Sequence, residues 1–597
     1  MPDLGSGFCG FESYHPQKDY KKMKEKTKMS PIVYLLLLII LIIIVPIVYF
    51  IGKKLFLYFY IYFSKKFFFR WLIFFFVLAI FSLTLIPAKH SLIIKQFSLL
   101  ISFFVLFSIL YISFSFNKRR PHFQFVDRWL LSSYLNITLT FGVDGFSIVI
   151  LILTGVLFPL CILAIWEEED KRVKFLCILY LILELLIINV FIQLNILAFY
   201  IFFESVLIPM VIIIGAFGSR ERKEYAAYRF FFYTLLGSLI GLIGILYMFN
   251  KQHTLDLLVL SKKSIDYKSQ KILWLLFFAS FAVKIPMFPL HLWLPEAHAE
   301  APTTGSVLLA GILLKLGGFG FLRISLKLFP LGSLYWSPLV YILSILAVVY
   351  ISLIAIRQVD LKRIIAYSSI AHMGFVTAGL FSFKITGVAG AFFIMISHGL
   401  VSSALFFSVG ILYDRYKTRA INYFSGLTSV MPVFSFFFLF FLLANSGLPG
   451  TSSFIGEFLV LLGCFKINKF LAFMLGLNTI LVVVYSLWLY NRICFGPVSD
   501  LVILNYLDVN KRELLILLTL FFLILVLGIF PSLVLQFIEP NIIKTQNVMN
   551  YANELEIISD MQNTLEKKIA EGPPKPPRKN LWVFLKEVLE KRFPRGR

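Results

Sequence analysis

Six ionisable side chains stand where this chain is otherwise apolar. They are Glu204 in "LAFYIFFESVLIPM", Lys284 in "FAVKIPMFPLHLWLPEAHAEAP", Lys315 in "GSVLLAGILLKLGG", His372 in "IAYSSIAHMG", His398 in "IMISHGL" and Glu457 in "NSGLPGTSSFIGEF". A charge at the middle of a bilayer costs at least ~2.5–3.5 kcal/mol even on lenient insertion scales, so each group must face the protein interior and find a partner or water. Burial disfavours a charged form and a nearby opposite charge restores it, so a buried acid and amine are poised to trade a proton when a neighbour changes charge. Lysine suits this work and arginine, which does not deprotonate, does not. Histidine, ionising near pH ~6.5, is a natural intermediate stop. The chemistry these residue types offer is reversible proton exchange, centred on Lys284, where Pro286 and Pro289 free backbone carbonyls and admit water.

Each residue also has a plainer reading. Glu204, with Pro209 in the same span, could be a structural counter-ion; Lys315 could snorkel, although its depth makes that hard. His372 and His398 could be ordinary buried histidines bonded to backbone or serine oxygens. Glu457 could cap a half-helix that begins after "GTSS", where the helix dipole favours a carboxylate. Depth argues for the sharper reading. Lys284 lies about twelve residues into its span, roughly 18 Å and near the middle of a ~30 Å hydrocarbon core. The other five reach a similar level on five different spans, so packed helices would bring all six into a line parallel to the membrane plane.

The elements that must position them are membrane helices. The chain has 597 residues, 59% hydrophobic and 15% charged, with a mean hydropathy of +0.86. No soluble domain is this apolar, and the class is an all-α polytopic membrane protein. Apolar segments fall at 31–51, 68–87, 92–116, 145–166, 174–193, 195–217, 226–249, 272–290, 303–324, 332–356, 361–381, 386–412, 429–465, 469–493 and 513–538, roughly fifteen crossings. Segment 429–465 is too long for one straight helix and contains "SGLPGTSS", so it reads as two half-helices around an unwound middle, answering the "VKIPMFP" break. Paired breaks point to inverted repeats around an ion path. The organisation expected is a polar leader with an extra helix over 1–66, first core helices over 67–173, two inverted five-helix repeats over 174–324 and 325–493, a final core span over 494–540 and a polar, basic tail over 541–597.

Composition also excludes several functions. The formal charge of +24 comes mainly from short loops and the tails, where cations anchor helices and meet anionic lipid, and no nucleic-acid motif accompanies it. Basic residues fall on both sides in similar numbers and leave membrane orientation open. The five cysteines have no C-x-x-C spacing, and no Rossmann or Walker glycine pattern appears, so neither a metal nor a redox cofactor is expected in this chain. The first thirty or so residues are lysine-rich and lack a signal cleavage site. The end, "LWVFLKEVLEKRFPRGR", reads as an amphipathic helix on a membrane or partner, or as a solvated end. Asp144, His291, His298 and Asp360, with Glu296 and Glu300, lie at span ends or beyond a break, as access, coupling or hinge groups; Asp144 reads equally as an N-cap. The excess of Phe, Ile, Leu, Tyr and Lys suits an AT-rich organellar genome.

The stretches "FAVKIPMFPLHLWLPEAHAEAPTTGSVLLAGILLKLGGFGFLR", "RQVDLKRIIAYSSIAHMGFV", "SHGLVSSALFFSVGILYDR" and "NSGLPGTSSFIGEF" resemble, in order and over roughly residues 70 to 540, the antiporter-like proton-pumping subunits of respiratory complex I. That resemblance implies a fourteen-helix membrane subunit of two inverted five-helix repeats in the mitochondrial inner membrane. It implies no cofactor in this chain, with FMN, iron–sulfur clusters and ubiquinone elsewhere in the complex. Partners would be other membrane-arm and accessory subunits and lipids including cardiolipin, and no nucleic acid. By the same resemblance Glu204 and Lys284 are an ion pair, Lys315, His372 and His398 a relay, and Glu457 the outlet. Glutamate at 457, where related subunits carry lysine, marks one branch of the family. The span at 31–51 and the long tail depart from the pattern. A multi-subunit sodium–proton antiporter shares the same core and is the alternative.

Overall fold

The computed structural model describes residues 68–132, 137–168, 172–263, 265–499 and 507–570. The leader, the span expected at 31–51, the "GPPKPPRKN" linker and the basic end lie outside the described residues. Eleven of the described helices are long and apolar enough to cross a membrane by length and composition. The first are α1 (Phe68–Leu85), α2 (Ser91–Ser115), α3 (Gly145–Ala164) and α4 (Val173–Ile192). A kinked pair, α5 (Ile196–Ser205) and α6 (Leu207–Phe217), precedes the long α7 (Lys223–Gln252). Then come α8 (Tyr267–Lys284), α9 (Trp293–Glu300), α10 (Thr303–Leu328), α11 (Pro330–Ile356), α12 (Leu361–Leu380) and α13 (Ile385–Tyr416). The half-helices α14 (Pro432–Asn445) and α15 (Ser452–Phe465) lead to α16 (Lys469–Cys494), α17 (Lys511–Ile529) and α18 (Ser532–Ala570).

Burial sorts these helices by depth in the bundle. The most apolar windows of α10 and α13 are wholly buried, and that of α3 is 83% buried. By contrast α7, α11, α16 and α17 bury 39% of theirs and turn side chains such as Leu236, Ile342, Ile480 and Phe522 outward. An apolar helix with one bare face belongs against lipid, and one covered all round belongs at the axis. Lys315 and His398 sit on the two axial helices.

Polar caps start the helices where the sequence turns from loop to apolar run. Asp266 starts α8 by accepting from Ser269 N at 3.0 Å, and Asn195 starts α5 by accepting from Leu197 N at 2.9 Å. Pro209 lacks the N–H that Ser205 would have used, and the helix breaks at Val206 between α5 and α6, two residues past Glu204. Helix α10 is widened by two π-helical stretches, Leu309–Leu313 and Phe321–Ser325, on either side of Lys315.

The membrane bundle is all-α, as expected, and one short antiparallel hairpin, β1 (Gln124–Ser132) and β2 (Ile137–Val143), is added to it between α2 and α3. Alternation in "FQFVDRWLLS" and "ITLTFGV" carried that signal, masked by the surrounding apolar runs. The apolar segment 513–538 is not one helix: α17 ends at Ile529, Pro531 intervenes, and α18 begins at Ser532 and runs through residue 541. The boundary at 324/325 falls inside α10. Asp360 accepts from Lys362 N at 2.9 Å and caps α12, which begins at Leu361.

Glycines let the axial helices touch. An ideal Cβ at Gly390 of α13 would lie 2.6 Å from Val460 N and 2.8 Å from Gly456 O of α15. Gly390→Val should therefore push α13 from α15 and cost about 1–3 kcal/mol, lowering the thermal unfolding midpoint of the purified protein. Gly476→Ala, inside α16 with open space around its Cβ, should not lower the midpoint and should raise it slightly.

Candidate functional site

At the centre, four of the expected residues form one contiguous row across four elements. Lys315 Nζ on α10 lies 3.0 Å from His398 Nδ1 on α13. The His398 and His372 rings, the latter on α12, lie 5.6 Å apart between centroids. His372 Nδ1 is 3.3 Å from Glu457 Oε1 on α15. All four side chains are buried. Each link joins groups that donate or accept according to protonation, so a proton can sit at any of them. The Nε2 atoms of both histidines have no hydrogen-bond partner among the described side chains and backbone.

Backbone spacing makes the row possible. The α10 and α13 backbones meet where an ideal Cβ on Gly399 would lie 3.0 Å from Gly311 O and 3.4 Å from Lys315 Cε. Glu457 lies against the break between α14 and α15: Gly447, at φ +75°, would bring a Cβ within 2.7 Å of Glu457 Oε2. Ser453 donates its hydroxyl to Ala444 O across the same break. At Gly450 the chain needs φ +92° and passes over Gly528 of α17, whose absent Cβ would meet Gly450 O. Both glycines of the break are thus there for backbone reasons.

Glu204 and Lys284 are near one another without forming a contact ion pair. Lys284, the last residue of α8, is buried, with Nζ 4.7 Å from the centroid of the Phe203 ring, the residue before Glu204. Both Glu204 carboxylate oxygens are buried with no hydrogen-bond partner among the described residues. Each is nonetheless the main opposite charge acting on the other. The ion pair implied by resemblance is a pair across a gap. Trp293 Nε1 donates to Val283 O at 3.0 Å and pins the end of α8. Gly317 of α10 lets Phe281 O and Ile285 N approach, bringing the Lys284 end of α8 against the helix that carries Lys315.

The other four candidates are not members of the row, although His298 is near enough to Lys315 and His398 for their charges to interact. Asp144 caps α3 in a capping box with Ser147 and accepts from Arg323 Nη2 of α10 at 2.8 Å. Arg323 also reaches the carbonyls of Phe191 and Gln193, joining α3, α4 and α10 at one end. Asp360 lies between Arg220 at 3.5 Å and Arg419 at 3.7 Å while capping α12. His291 is buried and stacks on Phe288 at 5.6 Å; His298 is buried and stacks on Phe406 at 4.7 Å, with both ring nitrogens unpartnered among the described residues. Glu296 bridges Arg363 and Arg229 near the surface.

Several buried charged groups escaped the sequence reading, among them Arg323, Arg419 and Glu184. Lys362 is buried and donates to Ala301 O at 2.8 Å beyond α9. Glu184 is wholly buried in α4. Counting depth along "LYLILELLIINV", as for Glu204, would have found it. Among the described residues no group of three or more His, Cys, Asp and Glu side chains is placed to hold a metal ion.

Residues 194–482 match the family described as NADH:quinone oxidoreductase/Mrp antiporter, TM. The chain is 51% identical over 456 residues to NADH-ubiquinone oxidoreductase chain 4 of Chondrus crispus, covering 76% of this chain and 93% of that one. It is 53% identical over 429 residues to the protein of the same name from Marchantia polymorpha, covering 72% and 86%. In fold it is similar to a chain of respiratory complex I from Thermus thermophilus with bound NADH, at TM-score 0.71 and 28% identity, covering 79% of this chain and 99% of that one.

Arg323 and Asp144 generate a stability test. Arg323→Met leaves the largely covered Asp144 carboxylate with Ser147 but without its guanidinium and should cost about 3–5 kcal/mol. Adding Asp144→Asn should recover most of that in thermal denaturation; equal losses in the single and double variants would mean the pair contributes nothing.

Proposed function

The chain belongs to the family of NADH-ubiquinone oxidoreductase chain 4, and on that premise we propose that Glu204, Lys284, Lys315, His398, His372 and Glu457 carry protons through the middle of the membrane in that order. Membership makes the protein a proton-translocating membrane-arm subunit of respiratory complex I, an NADH:ubiquinone reductase of the mitochondrial inner membrane. The identity to chain 4 sets aside the sodium–proton antiporter subunit as the reading.

The observation that carries the proposed order is the row from Lys315 through His398 and His372 to Glu457, with no link beyond hydrogen-bond or ring-contact distance. Lys284 and Glu204 stand at its head, close enough to feel one another and not locked together. A contact pair would hold both charges tightly; a gapped pair responds to a third charge. A charge change in a neighbouring subunit alters Glu204, which alters how firmly Lys284 holds its proton. Lys284 exchanges with Lys315 by way of water at the break after Ile285. Lys315 gives its proton to His398 Nδ1, His398 passes one to His372, and Glu457 receives it beside Gly447. Each charge moved against ~100 mV costs about 2.3 kcal/mol. That work comes from quinone reduction, with FMN, iron–sulfur clusters and ubiquinone in other subunits.

We read the helices α1 to α17, with the broken pairs α5/α6, α8/α9 and α14/α15 each counted once, as fourteen crossings. We read those of 174–324 and 325–493 as two inverted repeats, each with a broken helix in fourth place. The tails meet accessory subunits, and the basic loops meet anionic lipid such as cardiolipin.

Two measurements on the assembled complex test the order. Lys284→Met should sharply reduce protons moved per NADH oxidised, and full pumping in that variant would overturn the central role. His398→Ala opens the row between Lys315 and His372 and should slow pumping by at least about tenfold, a barrier of roughly 1.4 kcal/mol; unchanged pumping would mean protons bypass it.

A further inference from the structure

Glu184 belongs to none of the arrangements above. It lies mid-way along α4 with no exposed surface, and neither carboxylate oxygen has a hydrogen-bond partner among the described residues. An ionised carboxylate without a partner is not sustained in such a place, whereas the neutral acid is.

Its surroundings are protic. One helical turn earlier on the same helix is Tyr180, also fully buried; residues so spaced are neighbours, and the two side chains are not hydrogen-bonded to one another in this conformation. The Tyr180 hydroxyl is hydrogen-bonded to Thr304 Oγ1 in the first turn of α10. Cys161 of α3 lies beside them, its thiol 3.9 Å from Thr304 O and close enough to Glu184 for their charges to interact. Thr304 in turn lines a cavity of about 60 Å³ bounded by Glu168, Thr303, Asp414, Arg512 and Glu513. That volume has room for a few waters, and its walls supply polar partners for them. Hydroxyls donate and accept together, so Thr304 and Tyr180 can each take a proton on one side while releasing one on the other, with no net charge left on either.

We propose that Glu184 is a further proton-exchanging site of this chain, loaded from the cavity through Thr304 and Tyr180 and separate from the row of Lys315, His398, His372 and Glu457. The proposal deepens the reading of this chain as a proton-translocating subunit and rests on it for its purpose, but not for its test. In one exchange the acid swings to meet the tyrosine hydroxyl and gives its proton to that oxygen, the tyrosine passes its own to Thr304, and Thr304 passes one to cavity water; the carboxylate left behind is transient, and the reverse sequence reloads it at once.

The test is infrared spectroscopy of the assembled complex. The wild-type minus Glu184→Gln difference should contain one carbonyl band of a protonated carboxylic acid. On transfer to heavy water that band should shift about tenfold more slowly in Tyr180→Phe and Thr304→Val. No such band, or an exchange rate unchanged in both variants, overturns the proposal. Should Glu184→Gln fail to assemble, the native complex is treated with dicyclohexylcarbodiimide. The acid adds its oxygen to the central carbon and its proton to a nitrogen, and the acyl group migrates to give an N-acylurea with nothing lost. That adduct at Glu184 supports the neutral acid, and its absence from Glu184 while other carboxyls are labelled opposes it. Because these readouts need no pumping, a failure here is distinct from full pumping in Lys284→Met.

Discussion

The 3.0 Å approach of Lys315 to His398 is the interaction on which the rest of the structure depends. It joins the two helices whose membrane windows are fully buried, and it places an amine and an imidazole inside the bundle, away from lipid. Neither group would be tolerated there alone. Once they meet, His372 and Glu457 have something to continue, and the helices around the axis are constrained to bring them up. The glycines at 311 and 399 follow from the same contact, since any side chain there would hold α10 and α13 apart.

The breaks serve this centre in different ways. After α8 the backbone opens next to an amine; between α14 and α15 it opens next to a carboxylate, with Gly447 yielding its side-chain space to Glu457. A third interruption, at Val206, lies beside the other carboxylate of the set. Loosened helix at membrane depth survives only when covered by protein or lining a wet passage. Cover is what the outer helices supply, with apolar faces turned to lipid.

Much of this was legible in the residues. Length and hydropathy marked the helices, and "SGLPG" and "VKIPMFP" marked two breaks. A depth count along the spans found the members of the row, because the cost of a charge in lipid makes such residues rare and therefore visible. Other features were hidden for physical reasons. The hairpin of 124–143 alternates only weakly among apolar neighbours. Pro531 ended α17 inside what reads as one apolar run, and the long α18 could not be told from a tail because its partners are distant in sequence. The gap between Glu204 and Lys284 is a matter of tertiary placement, to which spacing is blind. Asp360 could be placed at a span end but not known as the cap of α12, because an N-cap shares the polar composition of a turn.

The widened turn ahead of Lys315 has a consequence of its own. An i→i+5 turn leaves a carbonyl less fully engaged than an α-turn does, and here Ala310 O accepts from Lys315 Nζ. That oxygen carries no charge and never titrates. Whatever state His398 takes up, the amine keeps one partner that is indifferent to it, so its solvation is set by backbone architecture and only its proton affinity is left to the imidazole.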